Sequence, residues 1–133
     1  MIRSLTSLIS GLFGAAGIAA RAFEAHGLAA LSDMSAPRLN DFNAGTEILL
    51  FHALALLALS SRPIAESRFN LLTACALAIG TLLFAGPLLT FGLTGSRALV
   101  MLTPIGGVLM IAGWIAIAVC GALNLLRPPR ETP

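Results

Sequence analysis

Lysine is absent from this chain, and charge of either sign is scarce: eight arginines and six acidic residues in 133 positions. Charged side chains make up 11% of the sequence, against roughly 25% in soluble domains. Hydrophobic residues make up 57%, and the mean hydropathy is +0.92. A soluble fold of this length has too little interior to hide so much apolar surface, whereas a bilayer accepts it on the outward faces. The net charge of +2 is dispersed over the chain and forms no basic stripe, so nucleic acid is not an expected partner. The two cysteines, Cys75 and Cys120, sit in apolar runs and form no Cys-x-x-Cys pair, which argues against a disulfide framework or a zinc site. Two histidines and six acids leave little from which to build an active site. There is no nucleophile elbow, no phosphate loop and no paired carboxylates within an apolar run. The expectation is a non-catalytic protein without metal or cofactor.

What the chain does have is long apolar runs. A span needs about 20 mostly apolar residues, and four segments qualify: about 5–22, 44–60, 69–91 and 98–126. Met1-Ile2-Arg3 and the apolar run after it resemble a signal peptide, with small residues near Ala19-Ala20 where cleavage would fall. The reading adopted is a retained first span. An outer loop is expected over 23–43, with Leu28-Ala29-Ala30-Leu31 as a short amphipathic piece at the interface. Arg62-Pro63 ends the second span and Arg127-Pro128-Pro129-Arg130 the fourth. The runs are continuous and rich in leucine and alanine, unlike the alternating ten-residue strands of a barrel. The expected fold is a single all-α domain, a bundle of four transmembrane helices. With four spans, Arg3, Arg62, Arg68, Arg127 and Arg130 share one side and Arg21, Arg38 and Arg97 the other. The arginine excess places both termini in the cytoplasm.

The unusual residues then converge on the outer half of the bundle. Arg21, Glu24 and His26 close the first span. Glu47 is shallow on the second, with His52 about 12 Å in. Gly86-Pro87 lie in the third, and Thr103, Pro104, Gly106 and Gly107 open the fourth. Three readings stand side by side. One is helix packing through small residues and interhelical hydrogen bonds. Another is a pocket for a lipid head group, a quinone or another amphiphile, since ionisable residues at membrane depth are functional suspects. The last is a proton or solute path through Glu47 and His52, although their spacing sets them about 140° apart around a helix. Arg21 and Glu24 have the i, i+3 spacing of an ion pair, and Glu47 is an alternative partner for Arg21. His52 suits a neutral histidine bonded to a neighbouring helix better than a haem ligand, because only His26 could serve as a second axial ligand. Trp114 is expected to pack against lipid or a neighbouring helix.

Four motifs in order carry a family resemblance: Ala22-Phe23-x-Ala25-His26, Phe51-His52-Ala53-Leu54-Ala55-Leu56, Gly80-Thr81-x-Leu83-Phe84-x-Gly86, and Thr103-Pro104-Ile105-Gly106-Gly107 followed by Gly113-Trp114. They resemble the YgdD-like small inner-membrane proteins of bacteria, domain-of-unknown-function family 423, whose eukaryotic relatives are called transmembrane protein 256. The resemblance covers nearly the whole chain. It implies a multi-pass protein of the bacterial inner membrane with four helices, and no established activity. The chain departs from the family pattern in three places. Arg21 and Glu24 stand where the family has glycines, Ile48-Leu49 where it has a Tyr-Gln pair, and Pro87-Leu88-Leu89 where it has Ser-x-Tyr. The leading expectation is an accessory or structural subunit packed against other membrane subunits. The resemblance, through mitochondrial relatives, points to a larger energy-converting complex. The alternative is a small transporter or lipid- or quinone-binding protein, with a pocket lined by Glu47, His52, Thr103 and the nearby glycines.

Overall fold

The computed structural model describes residues 1–27, 35–62 and 68–126; the amphipathic stretch 28–31 lies outside them. Four helices account for most of the described chain: α1 (Ile2–His26), α2 (Ala36–Ser60), α3 (Arg68–Thr94) and α4 (Thr103–Leu125), the last preceded by a 3₁₀ turn over Val100–Leu102. There is no strand among the described residues. At 23 to 27 residues and about 1.5 Å per residue, every helix exceeds the ~30 Å of hydrocarbon in a bilayer.

The helices outrun the apolar windows, and the expected outer loop is correspondingly shorter. Residues 23–26 continue α1, and α2 begins at Ala36 rather than near 44. The reason is that hydropathy finds only the part of a helix that sits in lipid. The first two turns of α2 carry Arg38, Asn40, Asp41 and Asn43 and project beyond it. Ser35, in extended conformation, precedes the helix, and Pro37 falls in the first turn, where a missing N–H leaves no bond unmade. The fourth helix differs in the opposite sense. Its first residues, 98–102, form turns, and α4 itself starts at Thr103.

Successive helices run antiparallel. Arg3 Nε donates to the Ser60 carbonyl at 3.1 Å, joining the start of α1 to the end of α2. Arg38 donates from Nε to the Gly92 carbonyl at 3.1 Å and from Nη2 to the Leu93 carbonyl at 2.7 Å. These are carbonyls at the end of α3 that have no helical partner of their own. The α2–α3 pair is central. Leu49, Ala53, Leu56 and Leu59 of α2 meet Ala74, Leu77, Ala78 and Ala85 of α3, with Phe13 of α1 added. Helix α1 packs chiefly on α2 and α4 on α3, while α1 and α4 do not meet among the described residues. Outside this core, large apolar side chains stand exposed on all four helices, among them Leu12, Ile18, Phe51, Leu54, Leu72, Leu82, Ile105, Val108 and Ile111. Such a belt is tolerable in lipid and not in water. Buried threonines Thr6, Thr46, Thr73 and Thr81 each donate to the carbonyl four residues back, at 2.7–2.9 Å, so their hydroxyls are satisfied within the helix.

Close backbone approach fixes the α3–α4 crossing. A Cβ on Gly106 would lie 2.5 Å from the Phe84 amide nitrogen and 2.6 Å from the Gly80 carbonyl oxygen; one on Gly80 would meet the Gly106 carbonyl oxygen at 2.9 Å. These neighbours are backbone and cannot rotate away. Gly107, by contrast, would meet the Phe84 ring at 3.7 Å, and Gly86 has nothing within 4 Å among the described residues. Gly106→Ala is therefore expected to destabilise the protein by about 1–3 kcal/mol, as overpacking does. Gly107→Ala and Gly86→Ala should be neutral or stabilising by up to ~1 kcal/mol through helix propensity. Unfolding in mixed detergent micelles with rising dodecyl sulfate fraction measures this, and equal midpoints for Gly106→Ala and Gly107→Ala would refute it.

Candidate functional site

Two polar constellations emerge, and they do not share a cavity. The first closes one end of the α1–α2 interface. Arg21 sits one turn before Glu24 on α1, and Asn43 sits one turn before Glu47 on α2, so each pair shares a helical face. The Arg21 guanidinium lies between them. Its Nη1 donates to Glu24 Oε2 and, at 3.2 Å, to Asn43 Oδ1, while Nη2 donates to Glu47 Oε1 at 3.0 Å. Glu24 and Glu47 are thus both partners of Arg21 rather than alternatives. The Glu47 side chain is 54% exposed and that of Glu24 22%, so the cluster belongs to the membrane edge, where solvent screens it. His26, the last residue of α1, is exposed beyond it. At this same end Arg97 stands 5.2 Å over the Phe91 ring.

The second constellation joins helices that are not backbone neighbours. His52 of α2 is 5% exposed. Its Nε2 accepts from Trp114 Nε1 on α4 at 3.2 Å, and its Nδ1 lies 2.9 Å from the Ile48 carbonyl oxygen one turn back. An indole N–H can only donate and a carbonyl can only accept. These partners therefore assign the neutral Nδ1–H tautomer, with both ring nitrogens satisfied. The rings meet edge-on, 6.1 Å between centroids and 70° between planes. His52 lies sixteen residues from Ala36 and eight from Ser60, about 24 Å and ~12 Å along the axis. The apolar part of α2 begins near 44, and His52 is eight residues from there and eight from Ser60, so it stands at the middle of that part.

The remaining candidates are elsewhere. Gly106 is consumed by the α3–α4 crossing, and Gly107 and Gly86 take no close contact. Pro104, exposed, lies in the first turn of α4. The Thr103 hydroxyl beside it is buried and has no hydrogen-bond partner among the described residues. Glu47 faces Arg21 of α1 and His52 faces α4, as their 140° separation requires, so no single pocket gathers Glu47, His52 and Thr103. The cavities are apolar instead. One of about 340 Å³ lies between α1 and α3, walled by Leu5, Ile9, Leu12, Cys75, Ile79 and Leu82 among others. Another of about 340 Å³ lies beside Ala19, Phe23, Phe42 and Leu93. A smaller one of about 120 Å³ separates α2 from α4. Among the described residues no three His, Cys, Asp or Glu side chains come together as metal ligands would.

Sequence reasoning singled out His52 and noted Trp114 but did not pair them. The available signal was chemical: Trp114 brings an N–H donor and His52 a ring nitrogen into apolar helices that otherwise lack partners for either. His52→Leu and Trp114→Phe should each destabilise the protein, and together by less than their sum. The coupling expected is about 0.6 kcal/mol and at most ~1.7, the range of interhelical bonds in membranes. Strict additivity in a double-mutant cycle would show that the bond contributes nothing.

Comparison with known proteins now places the chain. Residues 20–107 match the model of a protein family of unknown function, DUF423. A UPF0382 membrane protein of Haemophilus influenzae is 36% identical over 83% of this chain and 85% of its own length. The UPF0382 inner membrane protein YgdD of Escherichia coli K12 is 33% identical over 90% of each. A UPF0382 membrane protein of Schizosaccharomyces pombe is 32% identical over 89% of this chain and 96% of its own length. No solved structure matches the fold. With four helices long and apolar enough to cross a bilayer, and relatives that cover most of its length, this chain is a membrane protein that belongs to the DUF423 family.

Proposed function

We propose that this is a non-catalytic membrane protein whose role is assembly, with α1 docking on a helix of another membrane protein. One observation carries the reading. On the face of α1 opposite buried Thr6, Ser10, Phe13 and Gly17, a ridge at i, i+4 spacing consists of Ser7, Gly11, Ala15 and Ala19, all exposed. Among the described residues no atom outside the adjacent residues and the helix's own backbone lies within 4 Å of where a Gly11 Cβ would stand, and its backbone is ordinary right-handed helix. A glycine inside a helix costs about 1 kcal/mol relative to alanine, and no contact among the described residues requires one there. A second helix approaching closely would require it, because association in lipid depends on backbones that can come near each other.

The reading extends to orientation and place. Arg3, Arg62 and Arg68 lie at the end of the helices where α1 begins, and Arg21, Arg38 and Arg97 at the other. Sequence adds Arg127 and Arg130 to the first group. That asymmetry supports both termini facing the cytoplasm of a bacterial inner membrane, in keeping with the printed name of the Escherichia coli relative. A reporter active only in the cytoplasm should be active when fused at either terminus, and activity of only a periplasmic reporter reverses the assignment.

For assembly, native mass spectrometry after gentle extraction should find the 13.7 kDa chain in fixed stoichiometry with another membrane protein. Gly11→Leu should leave a folded, helical monomer and lower recovery of the partner at least tenfold, on the order of 1.4 kcal/mol. A wild-type protein found only as monomer or homo-oligomer, or a partner retained equally by Gly11→Leu, defeats the reading.

A further inference from the structure

We propose that the cleft between α2 and α4 binds one anionic phospholipid, with its phosphate on Arg62 and the start of an acyl chain between the helices. The cleft is walled by Ala55, Ala58, Leu59, Arg62, Trp114 and Ile117 and holds about 120 Å³. It lies where α2 and α4 are linked by the His52–Trp114 bond and are not backbone neighbours among the described residues. On the Arg62 side of that bond the gap stays open. Apart from Arg62 at its mouth and Trp114, whose N–H is taken by His52, its walls are apolar and offer water few partners, and a void beside them forfeits dispersion contacts. In a bilayer the available filler is hydrocarbon. Sites that enclose a whole small molecule measure roughly 300–1,000 Å³, so this one takes a segment of chain and not a quinone ring.

Charge selects the headgroup. Arg21, Arg38 and Arg97 at the opposite end are each occupied, by carboxylates, by carbonyls and by an aromatic ring. The Arg62 guanidinium has no hydrogen-bond or ion-pair partner among the described residues. Its planar fork fits two phosphate oxygens. Arg3 and Arg68 lie at the same end, whereas the described acids, Glu24, Asp41 and Glu47, lie at the other; sequence adds Arg127 and Arg130 against Glu66 and Glu131 to the Arg62 end, which stays basic. A headgroup without its own cation is therefore favoured over a zwitterionic one. Basic residues at the mouth of a cleft between membrane helices are a known form of headgroup recognition.

Trp114 borders the cleft and is the only tryptophan, so it reports directly. The protein is reconstituted in phosphatidylcholine vesicles, and phosphatidylglycerol or phosphatidylcholine with brominated acyl chains is added in increasing mole fraction. Half-quenching of Trp114 fluorescence should need about fivefold less brominated phosphatidylglycerol, the advantage that one arginine at an anionic headgroup confers. Arg62→Gln should abolish that preference and Arg68→Gln should keep it. Ala58→Leu, which fills the cleft without touching charge, should remove it as well. Equal quenching by the two lipids overturns the proposal, as does equal loss in Arg62→Gln and Arg68→Gln, which would mean general surface attraction. Recovery of fluorescence on adding millimolar inorganic phosphate would mean an anion site without a lipid. Far-UV circular dichroism checks the fold of each variant. If Arg62→Gln fails to fold, the wild-type lipid comparison and Ala58→Leu still decide.

Discussion

Lipid offers apolar helices little reason to associate, because the bilayer solvates a leucine as well as a neighbouring helix does. What holds this protein together is therefore close packing and a few hydrogen bonds, and most of them run through α2. Ser10 of α1 donates to the Ala53 carbonyl at 2.8 Å, and Asn70 of α3 donates to the Leu59 carbonyl at 3.3 Å. Arg21 and Arg38 tie the ends of α1 and α3 to it, and His52 reaches α4. Helix α2 buries half of its apolar window, whereas α1 buries 22% and α4 11%. The flanking helices are attached to a central pair and leave broad faces for lipid or for another protein.

That arrangement explains how ionisable groups are accommodated. The charges of the Arg21 cluster meet one another between α1 and α2, and Arg38 turns its charge to helix-terminal carbonyls. The two departures from the family pattern at Arg21 and Glu24 belong to one local structure. Each residue finds its partner in the other, and α2 supplies Glu47 and Asn43 to complete the set. His52, midway along the apolar part of α2, has partners that ask one ring nitrogen to donate and the other to accept.

The chain's composition was sufficient for the number of long helices among the described residues and their apolar character, and four short motifs were sufficient for the family. Helix limits were less legible. Polar first turns such as 36–43 are invisible to hydropathy, since a helix continues for as long as its backbone bonds do, in lipid or out of it. The candidate site was legible only in part: Arg21, Glu24, Glu47 and His52 stood out as rare residues in apolar surroundings, but their supposed convergence did not follow.

Whether an apolar segment leaves water is a matter of composition summed along the chain, and the sequence by itself determined that. Which residues touch was decided only by the tertiary structure. Arg21 meets Glu47 across 26 positions and His52 meets Trp114 across 62, and such pairs depend on how each helix is rotated and how closely it crosses its neighbour. That rotation is set by the shape of small side chains at the crossings, Gly80 against Gly106 above all, and by nothing that a one-dimensional pattern records.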